Sequence, residues 1–174
     1  MRRHPPWKRS GSRSRASAEV GDPAPDFSLA GTGERRYALE DYRGSWVVLA
    51  FYPGDFTPVC TRQFCAYRDD NDHLDELDAV VLGISPQSVA SHERFAEKHG
   101  LTVPLLADPD GTTIEAYGVS GPRGHVKRSI FIVDPQGIVC YRDIALLGLR
   151  YQDVSAISEA LTEMRSRTPS ADDA

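Results

Sequence analysis

An α/β sandwich around a mixed central sheet is the fold this sequence predicts, and three observations predict it. Segments 46–52 and 80–84 are apolar on both faces, as strands covered on both sides are, and a helical pattern separates them. Asp134-Pro135-Gln136-Gly137 joins two strand-like runs with Asp, Pro and Gly where a type I turn favours them, the mark of an antiparallel hairpin. Behind an Asp cap, Val154, Ile157, Leu161 and Met164 fall on one stripe of a closing helix.

The elements follow in order. A Pro-rich entry, 20–27, leads to short extended pieces at 27–30 and 36–39, with the hairpin-like signal Gly31-Thr32-Gly33 between them. After the strand 46–52, the pattern is helical from Pro58 to about Leu77, with Pro58 tolerated in the first turn. The strand 80–84 then completes a strand–helix–strand unit that crosses over right-handed. A helix over 88–99 has Ser88 as N-cap and Gly100 just past its end. A short strand at 105–107, a turn at 108–111 and a short helix through Ile114 and Tyr117 precede the hairpin strands 129–133 and 138–141. The last helix covers 153–165. One domain, 19–166, is expected between a disordered basic tail, 1–18, and a flexible C-terminal tail, 167–174.

Charge narrows the function. Residues 1–18 carry +6 with no acid, so the rest of the chain carries −11 of the net −5. An acidic body argues against nucleic-acid binding, which needs clustered positive charge. The longest apolar run is too short to span a bilayer, and a soluble chain without membrane partners is expected. Arg2-Arg3 lacks the apolar stretch of a secretion signal. A cytoplasmic location is expected, although the Arg- and Ser-rich start is also compatible with an organelle transit peptide or with an extension of no function.

Three cysteines do not make a disulfide scaffold in a chain of 174 residues. Cys60 stands where the strand 46–52 gives way to a helix, close to that helix's unpaired N–H groups. Those donors and the helix dipole favour thiolate, the reactive form of the thiol. Cys65 follows five residues later, and offsets of five fall on different helix faces, so one buried stripe does not explain both. A closely spaced pair points to metal binding or redox chemistry. A second Cys/His pair at zinc-ligand spacing is missing, and His73 and His92 are not placed to supply one.

Pro53, Thr57 and Cys60 form the frame P-x-x-x-T-x-x-C after a strand, and Arg128 stands before a later one. Together they resemble the active site of the peroxiredoxins. The spacing of Cys60 and Cys65 is similar to that of the subgroup called PrxQ or bacterioferritin-comigratory protein, whose second cysteine lies in the same helix. The likeness covers about residues 19–165 and includes 81–86 and 104–108. It implies a thioredoxin-like fold and a peroxidase without a cofactor, acting on hydrogen peroxide and organic hydroperoxides. It also implies Cys60 as attacking sulfur, Cys65 as resolving sulfur, and thioredoxin or a similar dithiol as reductant. Relatives of this type are monomers and sometimes dimers, and a monomer is expected.

The resemblance also gives roles to the neighbours. Thr57 offers a hydroxyl one turn before Cys60 to sulfur or peroxide, Arg128 a permanent cation with several donors, and Pro53 a cover that limits water. Taken alone, Thr57 reads as a helix cap and Arg128 as a surface ion pair. Five residues along an ideal helix rise ~7.5 Å and turn ~140°, placing the two Cα atoms roughly 8–9 Å apart. Bridged cysteines need Cα atoms within about 7 Å. A Cys60–Cys65 disulfide therefore requires the first turns of the helix to unwind.

Other residues read more plainly. Cys140 is a packed strand thiol and the fallback resolving cysteine. His125, near Arg128, is the one histidine placed to be a Cys–His partner, and otherwise a loop residue. The acidic run from Asp69 to Asp78 lacks the Gly of a calcium loop and reads as a solvated helix face. Trp46, Phe51 and Tyr52 are core residues, and Tyr52 and Phe56 could also wall a peroxide pocket. The competing functions are a dithiol–disulfide oxidoreductase, which usually shows C-x-x-C, and a peroxide-sensing redox relay on the same fold.

Overall fold

The computed structural model describes residues 17–146 and 150–168. The strands are β1 (Ser28–Gly31), β2 (Arg35–Ala38), β3 (Trp46–Phe51), β4 (Ala79–Ser85), β5 (Leu105–Ala107), β6 (Ser129–Val133) and β7 (Val139–Ile144). The helices are α1 (Pro58–Asp69), α2 (Asn71–Glu76), α3 (Val89–His99), α4 (Thr112–Ala116) and α5 (Val154–Arg167). Among the described residues no helix is long and apolar enough to cross a membrane.

The strands form one mixed sheet in the order β2-β1-β5-β4-β3-β6-β7. β3, β4 and β5 run parallel, as the doubly apolar segments predict, while β6 is antiparallel to β3 and β1 to β5. Alternate residues of β3 serve the two faces. Val47, Leu49 and Phe51 pack with Tyr117 and Phe131 on one side. Val48 and Ala50, with Tyr52 beyond the strand end, pack with Cys60, Phe64, Phe95 and Leu161 on the other. Each such fully buried Val, Leu or Phe contributes about 1.5–3 kcal/mol. Gly83 lets α1 come close, because a Cβ there would lie 3.0 Å from the Phe64 ring.

Capping agrees with the sequence. Ser88 Oγ accepts from the Ser91 N–H at the start of α3, and Asp153 accepts from the Ala156 N–H at the start of α5. Gly100 ends α3 at φ 59°, a left-handed conformation that costs glycine nothing. The expected hairpin appears as β6–β7, with Asp134 Oδ1 accepting from the N–H groups of Gln136 and Ile138.

Two expectations are corrected. The single helix over 58–77 breaks at Asp70, whose φ of −106° and ψ of 31° leave the helical region. Asp70 takes a hydrogen bond from His73, and Asn71 binds both Asp75 and Thr102. The basic tail of 1–18 is also too long at its inner end. Ala18 is 3% exposed, and Arg142 donates to its carbonyl and to Ser17 Oγ. The rest of that tail, 1–16, lies outside the described residues, as does 169–174 of the C-terminal one; Arg167 still belongs to α5.

Candidate active site

β3 delivers the chain to the centre of the sheet edge, and the loop 52–57 turns it into α1. Thr57 is the N-cap of α1 in extended conformation, Pro58 opens the helix, and Cys60 sits in its first turn. Here the helix N–H groups have no partner one turn earlier and its dipole is positive. Phe56, Thr57 and Pro58 are exposed, Pro53 is half-buried, and Cys60 behind them is 0% exposed.

Arg128 reaches this point through sheet register. β6 pairs with β3 so that Ser129 opposes Phe51, which carries the preceding residue to the end of β3 and the start of α1. Alternation puts Arg128 on the face of Ile130, within the core that holds Cys60, while Lys127 is exposed. Arg128 is 3% exposed, and its Nη2 donates to Cys60 Sγ at 3.1 Å. Its Nη1 donates to Gln63 Oε1. Gln63 Nε2 in turn donates to the Tyr67 hydroxyl at 3.0 Å, and that hydroxyl donates to the Gln152 carbonyl at 2.7 Å. Burial holds the Tyr67 phenol well above its ordinary range, so it serves as a neutral hydrogen-bonding group.

This chemistry suits an anionic sulfur. A permanent cation donates a charge-assisted hydrogen bond to it inside a dry core, where such a bond counts for more than in water. The Thr57 hydroxyl donates to the Gly54 carbonyl at 3.0 Å, and no side-chain cap is made. With the proton committed to Gly54, the oxygen presents acceptor lone pairs at the loop surface.

The remaining residues sort by location. Cys65 is half-buried further along the same unbroken helix, its Sγ 3.8 Å from His99 Nδ1. Both Cys60 and Cys65 carry free thiols. Cys140, on β7, donates from its thiol to the Ile132 carbonyl, and burial pushes that thiol up to about 12. His125 is exposed in a turn, where its carbonyl accepts from Gly121. The acidic residues of 69–78 are exposed, apart from a half-buried Asp70. Tyr52 is fully buried, whereas Phe56 is 45% exposed.

Sequence reasoning missed Gln63, Asp55 and His92. Gln63 lies three residues after Cys60, and so on the same helix face; a polar residue at that spacing on a buried stripe was the available signal. Asp55 and His92 meet only in three dimensions, and no local pattern announces them.

The match to known proteins accords with this geometry. The model of the AhpC/TSA family matches residues 20–142. The chain belongs to the AhpC/TSA family. Within it the chain is a peroxiredoxin of the Bcp and Q type. Peroxiredoxin Bcp of Bacillus subtilis (strain 168) is 40% identical over 126 residues, 68% of this chain and 80% of that one. Among solved structures, peroxidoxin BcpB from Mycobacterium tuberculosis superposes with a TM-score of 0.72 at 30% identity, covering 86% of this chain and 98% of its own. Peroxiredoxin Q of Xanthomonas campestris gives 0.70 at 28% identity, with 88% and 98% covered. The expected family and its thioredoxin-like fold are both borne out, and this peroxiredoxin is an enzyme.

Proposed function

We propose that this peroxiredoxin reduces hydrogen peroxide and organic hydroperoxides through Cys60, with Cys65 as resolving cysteine and thioredoxin or a similar dithiol as reductant. The hydrogen bond from Arg128 to Cys60 Sγ at 3.1 Å is the observation that carries this reading.

The peroxide O–H donates to Thr57 Oγ, whose lone pairs are open because its own proton goes to Gly54. The sulfur anion attacks the nearer oxygen with its electron pair, and the O–O bond breaks. The other oxygen leaves with that bonding pair and takes a proton to become water or alcohol. Cys60 is left as sulfenic acid. Arg128 favours the anion before attack, and its fork of donors is suited to the charge that moves toward the departing oxygen. Pro53, half-buried beside the loop and without an N–H, limits water near the sulfur.

In the second step the Cys65 thiol gives up its proton and its sulfur attacks the sulfenic sulfur. Hydroxide leaves and becomes water, and a disulfide remains. Because both residues lie in unbroken α1, this step needs the helix to open. Two thiols of the external dithiol then reduce the disulfide. Cys140 is a poor substitute for Cys65, since a thiol pushed up to about 12 is protonated at neutral pH. The proposal includes a monomer working in the cytoplasm without membrane partners, and the acidic body supports the absence of nucleic-acid partners.

The test is direct. Cys60→Ser abolishes turnover, whereas Cys65→Ser still reduces one equivalent of peroxide. Mass spectrometry after one equivalent shows Cys60 joined to Cys65. Full thiol-dependent peroxidase activity in Cys60→Ser overturns the assignment.

A further inference from the structure

The active-site loop contains an ion pair that the steps above do not use. Asp55 and His92 are both fully buried at their side chains, with His92 Nδ1 2.8 Å from Asp55 Oδ2 and 3.0 Å from Oδ1. Tyr52 donates its hydroxyl to Oδ1 at 2.8 Å and Ser91 donates to Oδ2 at 2.7 Å. The far ring nitrogen, Nε2, lies 3.2 Å from the Leu106 carbonyl and 3.5 Å from Ser85 Oγ. Both ring nitrogens thus have hydrogen-bonding partners, Asp55 at Nδ1 and the Leu106 carbonyl and Ser85 hydroxyl at Nε2. Buried charge is costly unless paired and hydrogen-bonded, and this pair is both.

The carboxylate is saturated by three side chains and faces the core, so it is not a base for peroxide. Its geometric consequence lies in the loop backbone. The Asp55 N–H donates to Gln87 Oε1, and the Gln87 amide lies against Gly54, where a Cβ would come within 3.3 Å of it. The next residue, Phe56, is held at φ 61°, a left-handed conformation that a bulky residue keeps only when its surroundings dictate it. Immediately after it comes Thr57, whose hydroxyl depends on the Gly54 carbonyl.

We propose that Asp55 and His92 are positioning residues of the peroxidase site. They lock the upstream half of the frame, residues 53–57, to β3, α3 and β5, and so fix the Gly54 carbonyl and the Thr57 oxygen on which peroxide docks. The lock also divides the site mechanically. Residues up to Thr57 stay clamped, and the opening of α1 that joins Cys60 to Cys65 begins beyond it. This rests on the peroxidase reading given above.

The experiment compares two rates on reduced protein: loss of peroxide in a single turnover, and alkylation of Cys60 by iodoacetamide, read on its peptide by mass spectrometry. Peroxide reduction needs a placed Thr57 oxygen, and alkylation does not. Asp55→Asn lowers the peroxide rate about 10- to 100-fold, as misplacement of a docking group does, while alkylation changes by less than about threefold. His92→Asn, whose amide can replace Nδ1 as donor to Asp55, keeps most of the peroxide rate. His92→Gln, whose amide replaces Nε2 instead, behaves like Asp55→Asn. Should Asp55→Asn fail to fold, the two His92 variants decide alone. The inference is overturned if both rates fall together, if neither falls, or if His92→Asn and His92→Gln behave alike. Retention of turnover by Cys60→Ser sinks the peroxidase reading itself; loss in Cys60→Ser with an unaffected Asp55→Asn sinks only the positioning role.

Discussion

Arg128 Nη2 lies 3.1 Å from Cys60 Sγ, although 68 residues separate them in the chain. The same guanidinium donates to Gln63 one turn along α1, so one buried cation is shared between the Cys60 sulfur and the helix that carries it.

Replacing Arg128 with Lys keeps the charge and loses the fork, since an ammonium cannot reproduce two directed donors from one plane. The single-turnover peroxide rate is expected to fall about 100-fold, the loss that follows removal of one preorganised donor. Stopped-flow peroxide consumption checks this, and a rate within a factor of about three of the parent contradicts it.

Gln63→Leu removes the acceptor of Arg128 and the donor to Tyr67, leaving two buried polar groups without that partner. Tyr67 keeps the Gln152 carbonyl and Arg128 keeps Cys60, so the expected cost is about 1–3 kcal/mol in all, read as a lower urea midpoint. Because Arg128 is then less fixed over the sulfur, the peroxide rate falls too. A variant as stable as the parent counts against the network.

Acid reveals the Asp55 pair. Burial alone would raise this carboxyl, but the hydrogen bond and charge of His92, with hydrogen bonds from Ser91 and Tyr52, hold it below its ordinary value. A carboxyl with a depressed folded value contributes stability above its unfolded value of about 3.9 and loses it as pH falls through the folded one. Urea denaturation from pH 7 down to pH 2 therefore shows an acid limb below about pH 4, and Asp55→Asn lacks this increment. An identical limb in both proteins excludes Asp55 as its source.

Cys140→Ala is expected to leave turnover unchanged, because burial keeps that thiol protonated and its hydrogen goes to the Ile132 carbonyl. Steady-state peroxidase activity with a thioredoxin system measures it. A loss comparable with that of Cys65→Ser transfers the resolving role to Cys140.

Much of the fold is legible locally. The doubly apolar strands, the Ser88 and Asp153 caps, the left-handed Gly100 and the Asp134 turn each depend on neighbours a few residues away, and each appears where the pattern puts it. The break at Asp70 is not legible, since the residue after it, Asn71, is tied to Thr102, far along the chain. Nor is the Thr57–Gly54 bond legible, since the proton goes to Gly54 because the loop curls back, and loop curvature has no sequence period.

Taken by itself, the amino-acid sequence determines a mixed α/β sheet, a cysteine at a strand-to-helix junction, and a second cysteine too far along the helix to bridge without opening it. These are consequences of short-range geometry: strand alternation, the free N–H groups of a helix start, and a rise of about 1.5 Å per residue. Only tertiary structure brings Arg128 onto Cys60, through the pairing of Phe51 with Ser129, and seats Asp55 against His92 in the core. Charge partners of this kind are chosen by distance after the sheet has closed, and water is excluded only then, so their strength and their identity both belong to the folded chain.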